Sequence, residues 1–348
     1  MLLYLHIPFC DSKCSYCSFN SFTNLEGYYS NYMRALEVSL SKQLESVESV
    51  DTIFIGGGTP STIAPKMYEN IFKELQNYTN SNIEITVEAN PNSATKEWLE
   101  GMRDLGVNRV SFGVQSFRED KLRVLNRAHS AKDAILAIEN AHCVGFENIS
   151  LDIIYDLVGD TKELLLYDLQ QAFKLPINHI SSYELIIEKA TAFAKTPNVK
   201  KDSEELSFIL RDYIQSRGFK QYEVSNYGLY QSRHNLGYWQ YREYLGVGAG
   251  AVGFIDNRRL NPHTNLDKFI KEPHFNRVEE LNSNDIITEK ILLGLRSIVG
   301  IDRDILSKNM QQRADILTDE KKLVLKDKRY YNRELFLGDE LALFILGS

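Results

Sequence analysis

Cys10, Cys14 and Cys17 crowd into the octapeptide Cys10-Asp11-Ser12-Lys13-Cys14-Ser15-Tyr16-Cys17, and they are three of the four cysteines in the chain. Thiols packed this tightly suit a metal better than a disulfide framework in a chain of this size. Three thiolates can hold three irons of a cubane cluster and leave the fourth iron open to an outside ligand. The other chemistry open to these residues is a zinc site completed by His6 or another side chain. Cys143 has no such company and reads as a buried helical residue.

Gly56-Gly57-Gly58-Thr59-Pro60 follows a β-rich run and offers backbone that a small ligand can approach without meeting a Cβ. By itself such a turn is more often conformational punctuation than a binding site. Glu88 ends a third β-rich run, Gln115 ends a fourth, Asp152 lies on a fifth, and Arg127 follows from the next helix. Each has an ordinary structural explanation; their order along the chain raises the prospect that they converge.

The elements that must position these residues alternate. β-rich runs at Leu2–Ile7, Thr52–Gly57, Ile83–Ala89, Arg109–Val114, Ile149–Tyr155 and His179–Leu185 lead into stretches with apolar residues at helical spacing, such as Tyr28–Val47, Pro65–Tyr78, Thr95–Leu105 and Lys132–Val144. Right-handed crossovers place those helices outside a parallel sheet. The expected fold is α/β, a curved six-unit partial (β/α) barrel whose reactive groups gather at the C-terminal ends of the strands.

After Phe219 the chain turns aromatic and glycine-rich, and we expect residues 219–280 to extend the barrel formed by 1–218. Residues 281–348 are expected to form a small α+β C-terminal domain: helices between about Asp285 and Lys326, then a hairpin of Glu334–Phe336 and Leu341–Leu346 turning at Gly338-Asp339.

Composition narrows the functional classes. The 348 residues carry a formal charge of −7, which argues against a general nucleic-acid surface, since that needs concentrated Lys and Arg. No segment approaches the roughly 20 apolar residues of a membrane span. Met1-Leu2-Leu3-Tyr4-Leu5 lacks a basic leader and makes a poor signal peptide, so a cytoplasmic location is expected, with peripheral membrane contact left open.

The Cys-x3-Cys-x2-Cys spacing and the GGGTP element resemble the radical-SAM family. Tyr4-Leu5-His6-Ile7-Pro8-Phe9-Cys10, Gly113-Val114-Gln115-Ser116 and Leu125-Asn126-Arg127 sharpen the resemblance to the oxygen-independent coproporphyrinogen oxidase family and its HemW haem-chaperone branch. That resemblance implies a [4Fe-4S] cluster on Cys10, Cys14 and Cys17. It also implies S-adenosylmethionine contacts from Tyr4, Gly57, Gly58, Thr59, Glu88, Gln115, Arg127 and Asp152. An electron donor is implied as well.

Two features point to the chaperone branch. The oxidases carry a further cysteine two positions beyond the motif, where this chain has Phe19, and the motif begins almost at Met1, without the extension of those oxidases. His234-Asn235-Leu236-Gly237-Tyr238-Trp239 matches the branch's HNxxYW element and offers His234 as a haem contact beside two aromatic rings. Haem is the implied cargo, with an unidentified protein as its acceptor; porphyrinogen oxidation is the alternative. One departure stands out: the family's usual Gly-Leu-Pro after the fifth strand is Asp156-Leu157-Val158 here.

Overall fold

The structure, a computed structural model, describes residues 1–201 and 203–347. Leu2, Leu3, Leu5 and Ile7 on β1 (Leu2–Ile7) are all fully buried, the pattern of a strand covered on both faces. β1 pairs in parallel with β2 (Thr52–Gly57), from Leu2 opposite Thr52 to Ile7 opposite Gly57. β3 (Glu84–Ala89), β4 (Arg109–Gln115), β5 (Asn148–Tyr155) and β6 (His179–Glu184) follow in sequence order, each parallel to the one before.

Helices α1 (Tyr29–Leu44), α2 (Glu69–Leu75), α3 (Lys96–Asp104), α4 (Glu119–Val124), α5 (Ala131–Cys143) and α6 (Lys162–Ala172) fill the crossovers. Their apolar stripes supply Leu36, Ile71, Leu99, Ile138 and Leu169 to one continuous core against the sheet. Local chemistry fixes their starts: Thr95 accepts from Trp98 N at the head of α3, and Ser130 with Asp133 forms a capping box on α5. The stretch expected as one helix over Pro65–Tyr78 begins as a 3₁₀ turn, Pro65–Tyr68, before α2.

Residues after α7 (Glu204–Ser216) widen the sheet at both sides. β7 (Lys220–Gln221) and β8 (Asn226–Gly228) join antiparallel beyond β6. The chain then passes through α8 (Arg233–Trp239), and β9 (Tyr244–Val247) lies parallel to β1 on its free side. β10 (Gly253–Ile255), β11 (Arg258–Pro262) and, after α9 (Leu266–Lys271), β12 (Asn276–Glu280) continue outward antiparallel. Among the described residues, the result is an open sheet of 12 strands in the order β12-β11-β10-β9-β1-β2-β3-β4-β5-β6-β8-β7.

A second core forms from α10 (Ser283–Leu295), α11 (Lys308–Asp319), α12 (Gly338–Leu346) and a three-stranded sheet of β13 (Ile301–Asp302), β14 (Leu323–Lys326) and β15 (Arg329–Asn332). Its hairpin is not where the sequence placed it. β14 and β15 turn at Asp327-Lys328, both at positive φ, while Leu341–Leu346 is helical and buries Leu341, Ala342 and Ile345 on one face. Among the described residues, no helix is long and apolar enough to cross a membrane.

Candidate functional site

The cysteine segment leaves β1 through Pro8 and loops back, with Phe9–Cys10 pairing in parallel with Phe22–Thr23. Lys13 Nζ donates to Phe19 O at 2.8 Å and to Ser21 Oγ at 2.6 Å, which closes the loop from within. Its outer turn is fastened to the segment after α4: Ser15 N donates to Leu125 O, and Asn126 Nδ2 donates to Lys13 O. Cys10, Cys14 and Cys17 are half-buried free thiols. All three line one cavity of about 370 Å³.

Gly57, Gly58 and Thr59 form the cavity's second wall. Gly58 N donates to Ile7 O and Thr59 N to Phe9 O, so the glycine loop is stitched to the strand that carries Cys10. Glycine is required at two of these positions. Gly57 has φ +112°, and a Cβ there would stand 2.3 Å from His6 Nδ1; at Gly58 it would stand 2.7 Å from Phe9 O. Thr59 Oγ1 donates to Cys10 Sγ at 3.4 Å, while burial pushes the Cys10 thiol up in pKa.

Glu88, Gln115, Arg127 and Asp152 complete the set in the same cavity. Glu88 accepts from Gly57 N at 3.2 Å, and its carboxyl is pushed up to about 7 by burial and by Asp152. Burial likewise raises Asp152 to about 6. Gln115 takes φ +69° where the β4–β5 register slips, and its buried Oε1 has no partner among the described residues. Arg127, in the loop after α4, donates to Asn90 Oδ1 at 2.6 Å, Gly113 O at 2.5 Å and Cys14 Sγ at 3.1 Å. An unpaired amide oxygen, two neighbouring carboxyl groups, a cation and glycine backbone beside three thiols make a donor and acceptor set fitted to a polar ligand seated against a thiolate-bound cluster.

Asn90 escaped the sequence reading. It bridges Thr59 Oγ1, to which it donates at 3.1 Å, and Arg127, so it ties the glycine loop to the cation. Its position two residues past Glu88, just beyond a strand end, was the available signal.

Tyr4 and His234 do not join the cysteine cavity. Both line an adjacent cavity of about 680 Å³ that shares Glu88, Ser111 and Asp152 with it. Tyr4 OH is bonded to His6 Nδ1 at 2.9 Å, and His6 Nε2 to Asn20 O at 2.8 Å, so His6 has no nitrogen left to complete a zinc site. His234 is equally committed: Nδ1 to Thr52 Oγ1 at 2.8 Å and Nε2 to Tyr238 OH at 2.9 Å. It is 1% exposed, and burial lowers its pKa to about 3. In this arrangement it offers no lone pair to a haem iron. Trp239, expected beside it, packs under the Arg296 guanidinium instead. Cys143 is a further correction: it is exposed at the end of α5, whose buried face is Ala134, Ala137, Ile138 and Ala141.

The family model described as the Radical SAM superfamily matches residues 4–170. A Bacillus subtilis (strain 168) protein named heme chaperone HemW is 34% identical over 319 residues, 86% of this chain and 84% of the relative. Its Escherichia coli (strain K12) namesake is 38% identical over 272 residues, 74% of this chain and 72% of the relative. A mouse protein named radical S-adenosyl methionine domain-containing protein 1, mitochondrial, is 32% identical over 326 residues, covering 86% and 74% of the two chains. Among solved structures, coproporphyrinogen III oxidase (HemN) from Escherichia coli, a radical SAM enzyme, superposes with a TM-score of 0.83 at 19% identity over 99% of this chain and 89% of that one, a likeness of fold. Three free cysteines at the mouth of a sequential parallel sheet, and identities of this size over most of two chains, place the protein in the radical SAM superfamily, within the family of the HemW heme chaperones.

Proposed function

We propose that Cys10, Cys14 and Cys17 hold a [4Fe-4S] cluster, that S-adenosylmethionine sits against it in the same cavity, and that the protein carries haem to an acceptor protein. The observation that carries the reading is the gathering of three free thiols, the glycine loop, Glu88, Gln115, Arg127 and Asp152 in one cavity, in a chain 34% identical to a protein named heme chaperone. The bound cluster would supply electrons and an open iron coordination position.

The protein's own groups divide the remaining work. Gly57 and Gly58 let backbone approach the ligand, with Thr59 fixed beside Cys10. Arg127 offsets the charge that three thiolates bring. Glu88 and Asp152 present carboxyl groups to the cationic groups of S-adenosylmethionine, and the Gln115 oxygen is free to accept a hydrogen bond. Free thiols suit the reducing cytoplasm, where we place the protein with its electron donor.

Porphyrinogen oxidation is the weaker reading. Phe19, standing where the resembling oxidases carry an extra cysteine, is 66% exposed at the cavity. Anaerobic reconstitution, followed by haem binding and coproporphyrinogen turnover measured side by side, separates the two. Haem uptake without protoporphyrinogen production is expected. Turnover lost in Cys14→Ala would overturn the chaperone reading.

A further inference from the structure

Arg109 is a buried cation with almost nothing to bond. It is 3% exposed, yet its guanidinium makes one hydrogen bond, to Thr86 Oγ1 at 3.5 Å, and among the described residues no carboxylate lies within 4.0 Å of it. A guanidinium carries five N–H donors, and those of Arg109 that find no protein partner stay open to the cavity beside it. Strand geometry shows where they point. Alternate residues of β4 share a face, and Arg109, Ser111 and Gly113 step from the larger cavity, through the wall common to both, into the cysteine cavity. Arg109 thus faces the 680 Å³ cavity, of a size used by small-molecule sites.

Aromatic rings form much of the rest of that wall, Phe54, Tyr222, Tyr238, Tyr244 and Phe254, with polar Asn20, Asn226 and Asn235 between them. Partly exposed Arg242 and Arg259 lie at its side, each already paired, with Asp51 and Glu289 respectively. The charged groups in the wall nearest Arg109's field are Glu88 and Asp152, on the boundary with the cysteine cavity.

The three histidines of the wall are all spent. His6 bonds Tyr4 and Asn20, and His234 bonds Thr52 and Tyr238. His179 bonds Ser150 Oγ at 2.7 Å and Tyr222 OH at 2.7 Å. A ligand in this cavity is therefore met by aromatic rings, by neutral polar side chains and by a guanidinium with a single long hydrogen bond, with no imidazole nitrogen available to a metal.

We propose that this inner cavity seats the haem, with a propionate carboxylate taken by Arg109 and no histidine on the iron. The inference rests on the haem reading above and assigns it a place and a means of recognition. A charge-assisted pair to a carboxylate is among the stronger hydrogen-bonding arrangements, and its loss commonly costs an order of magnitude or more in affinity.

The test titrates full-length reconstituted protein with haemin, haemin dimethyl ester and iron-free protoporphyrin IX, in wild type, Arg109→Gln and Arg109→Lys, with cluster content and thermal unfolding read on each. Wild type should prefer haemin over its diester by about tenfold or more and should bind protoporphyrin IX nearly as well as haemin. Arg109→Gln should erase the preference while the cluster stays assembled. Arg109→Lys keeps a cation without the fork and should keep a reduced preference, which decides the matter if Arg109→Gln fails to fold. Equal binding of acid and ester by wild type, an undiminished preference in either variant, or a haem spectrum with histidine ligation would overturn the inference and leave haem binding itself standing. Failure of every porphyrin to bind would remove the haem reading, and this inference with it.

Discussion

The Arg127 guanidinium stands 3.1 Å from the Cys14 sulfur while also donating to Asn90 Oδ1 and Gly113 O, so one side chain braces the cysteine loop against β4 and the end of β3. Arg127→Met would strand those acceptors. We expect a loss on the order of 2–3 kcal/mol in unfolding free energy, and faster iron loss under a chelator. A variant that unfolds and holds iron like wild type would show that the brace carries no weight.

Cysteine substitutions should separate cleanly. Cys10→Ala, Cys14→Ala and Cys17→Ala should each fail to retain about four irons and four sulfides per chain after anaerobic reconstitution. Cys143→Ala, at an exposed position on α5, should retain them. Iron and sulfide analysis with the visible spectrum decides, and one equivalent of stable zinc in the wild type would contradict the cluster.

His234→Ala should act on stability and leave the iron's axial ligation unchanged, because both ring nitrogens are bonded inside the protein. The expected cost is about 2 kcal/mol at neutral pH. The imidazole is held neutral to about pH 3, whereas in the unfolded chain it takes a proton near 6.5. Its contribution is therefore full above that unfolded value and falls as pH drops below it, so the wild type's advantage over the variant should shrink on acidification and be gone well before pH 3. A changed haem spectrum in a stably folded variant would restore His234 as a ligand.

Glu223→Gln tests the opposite sign. Glu223 is 1% exposed, its Oε1 has no partner among the described residues, and burial raises its carboxyl to about 7. Keeping it ionised destabilises the fold above that pH, an effect that fades as pH falls toward the ordinary carboxylate value. The variant should gain on the order of 2–3 kcal/mol at pH 8 and little at pH 5. Denaturant titrations at the two pH values provide the check; equal gains at both would assign the effect to packing.

Asp156 occupies a backbone position at φ +68°, the left-handed region that glycine enters without steric cost. This explains why the resembling family places glycine there. Asp156→Gly should stabilise the protein by roughly 1 kcal/mol by relieving that strain. Removal of a buried carboxyl raised to about 6 adds to the gain above that pH. A lower urea midpoint at neutral pH would instead mean that the carboxyl's contacts matter more than the strain.

The six central strands were readable because each is a short apolar or β-branched run between turn signals, and β1 and β2 begin and end at the residues read from sequence. Leu341–Leu346 was misread because a short apolar run looks alike in a strand and a buried helix. The true hairpin turn, Asp327-Lys328, places a lysine in left-handed backbone where asparagine or glycine would have announced it. At the site, cysteine spacing and the glycine loop are local signals and were legible. Arg109 and Asn90 were not, since only register, with Glu88 opposite Ser111 and Thr86 opposite Arg109, brings single polar residues of separate strands to one wall. His234 shows a different limit: sequence places an imidazole but does not show that both its nitrogens are already engaged.

The open sheet leaves two outer edges, and a long row of unpaired backbone amides invites another chain to add itself. Here one edge, β7, is two residues long, which gives an incoming strand little to grip. The other, β12, reads Asn276-Arg277-Val278-Glu279-Glu280 and sets charged side chains along its largely exposed length. A sheet of 12 strands that does not close on itself can thus remain dispersed at high concentration, and replacing Glu279 and Glu280 with valine should turn that margin into a seam for fibrous self-association.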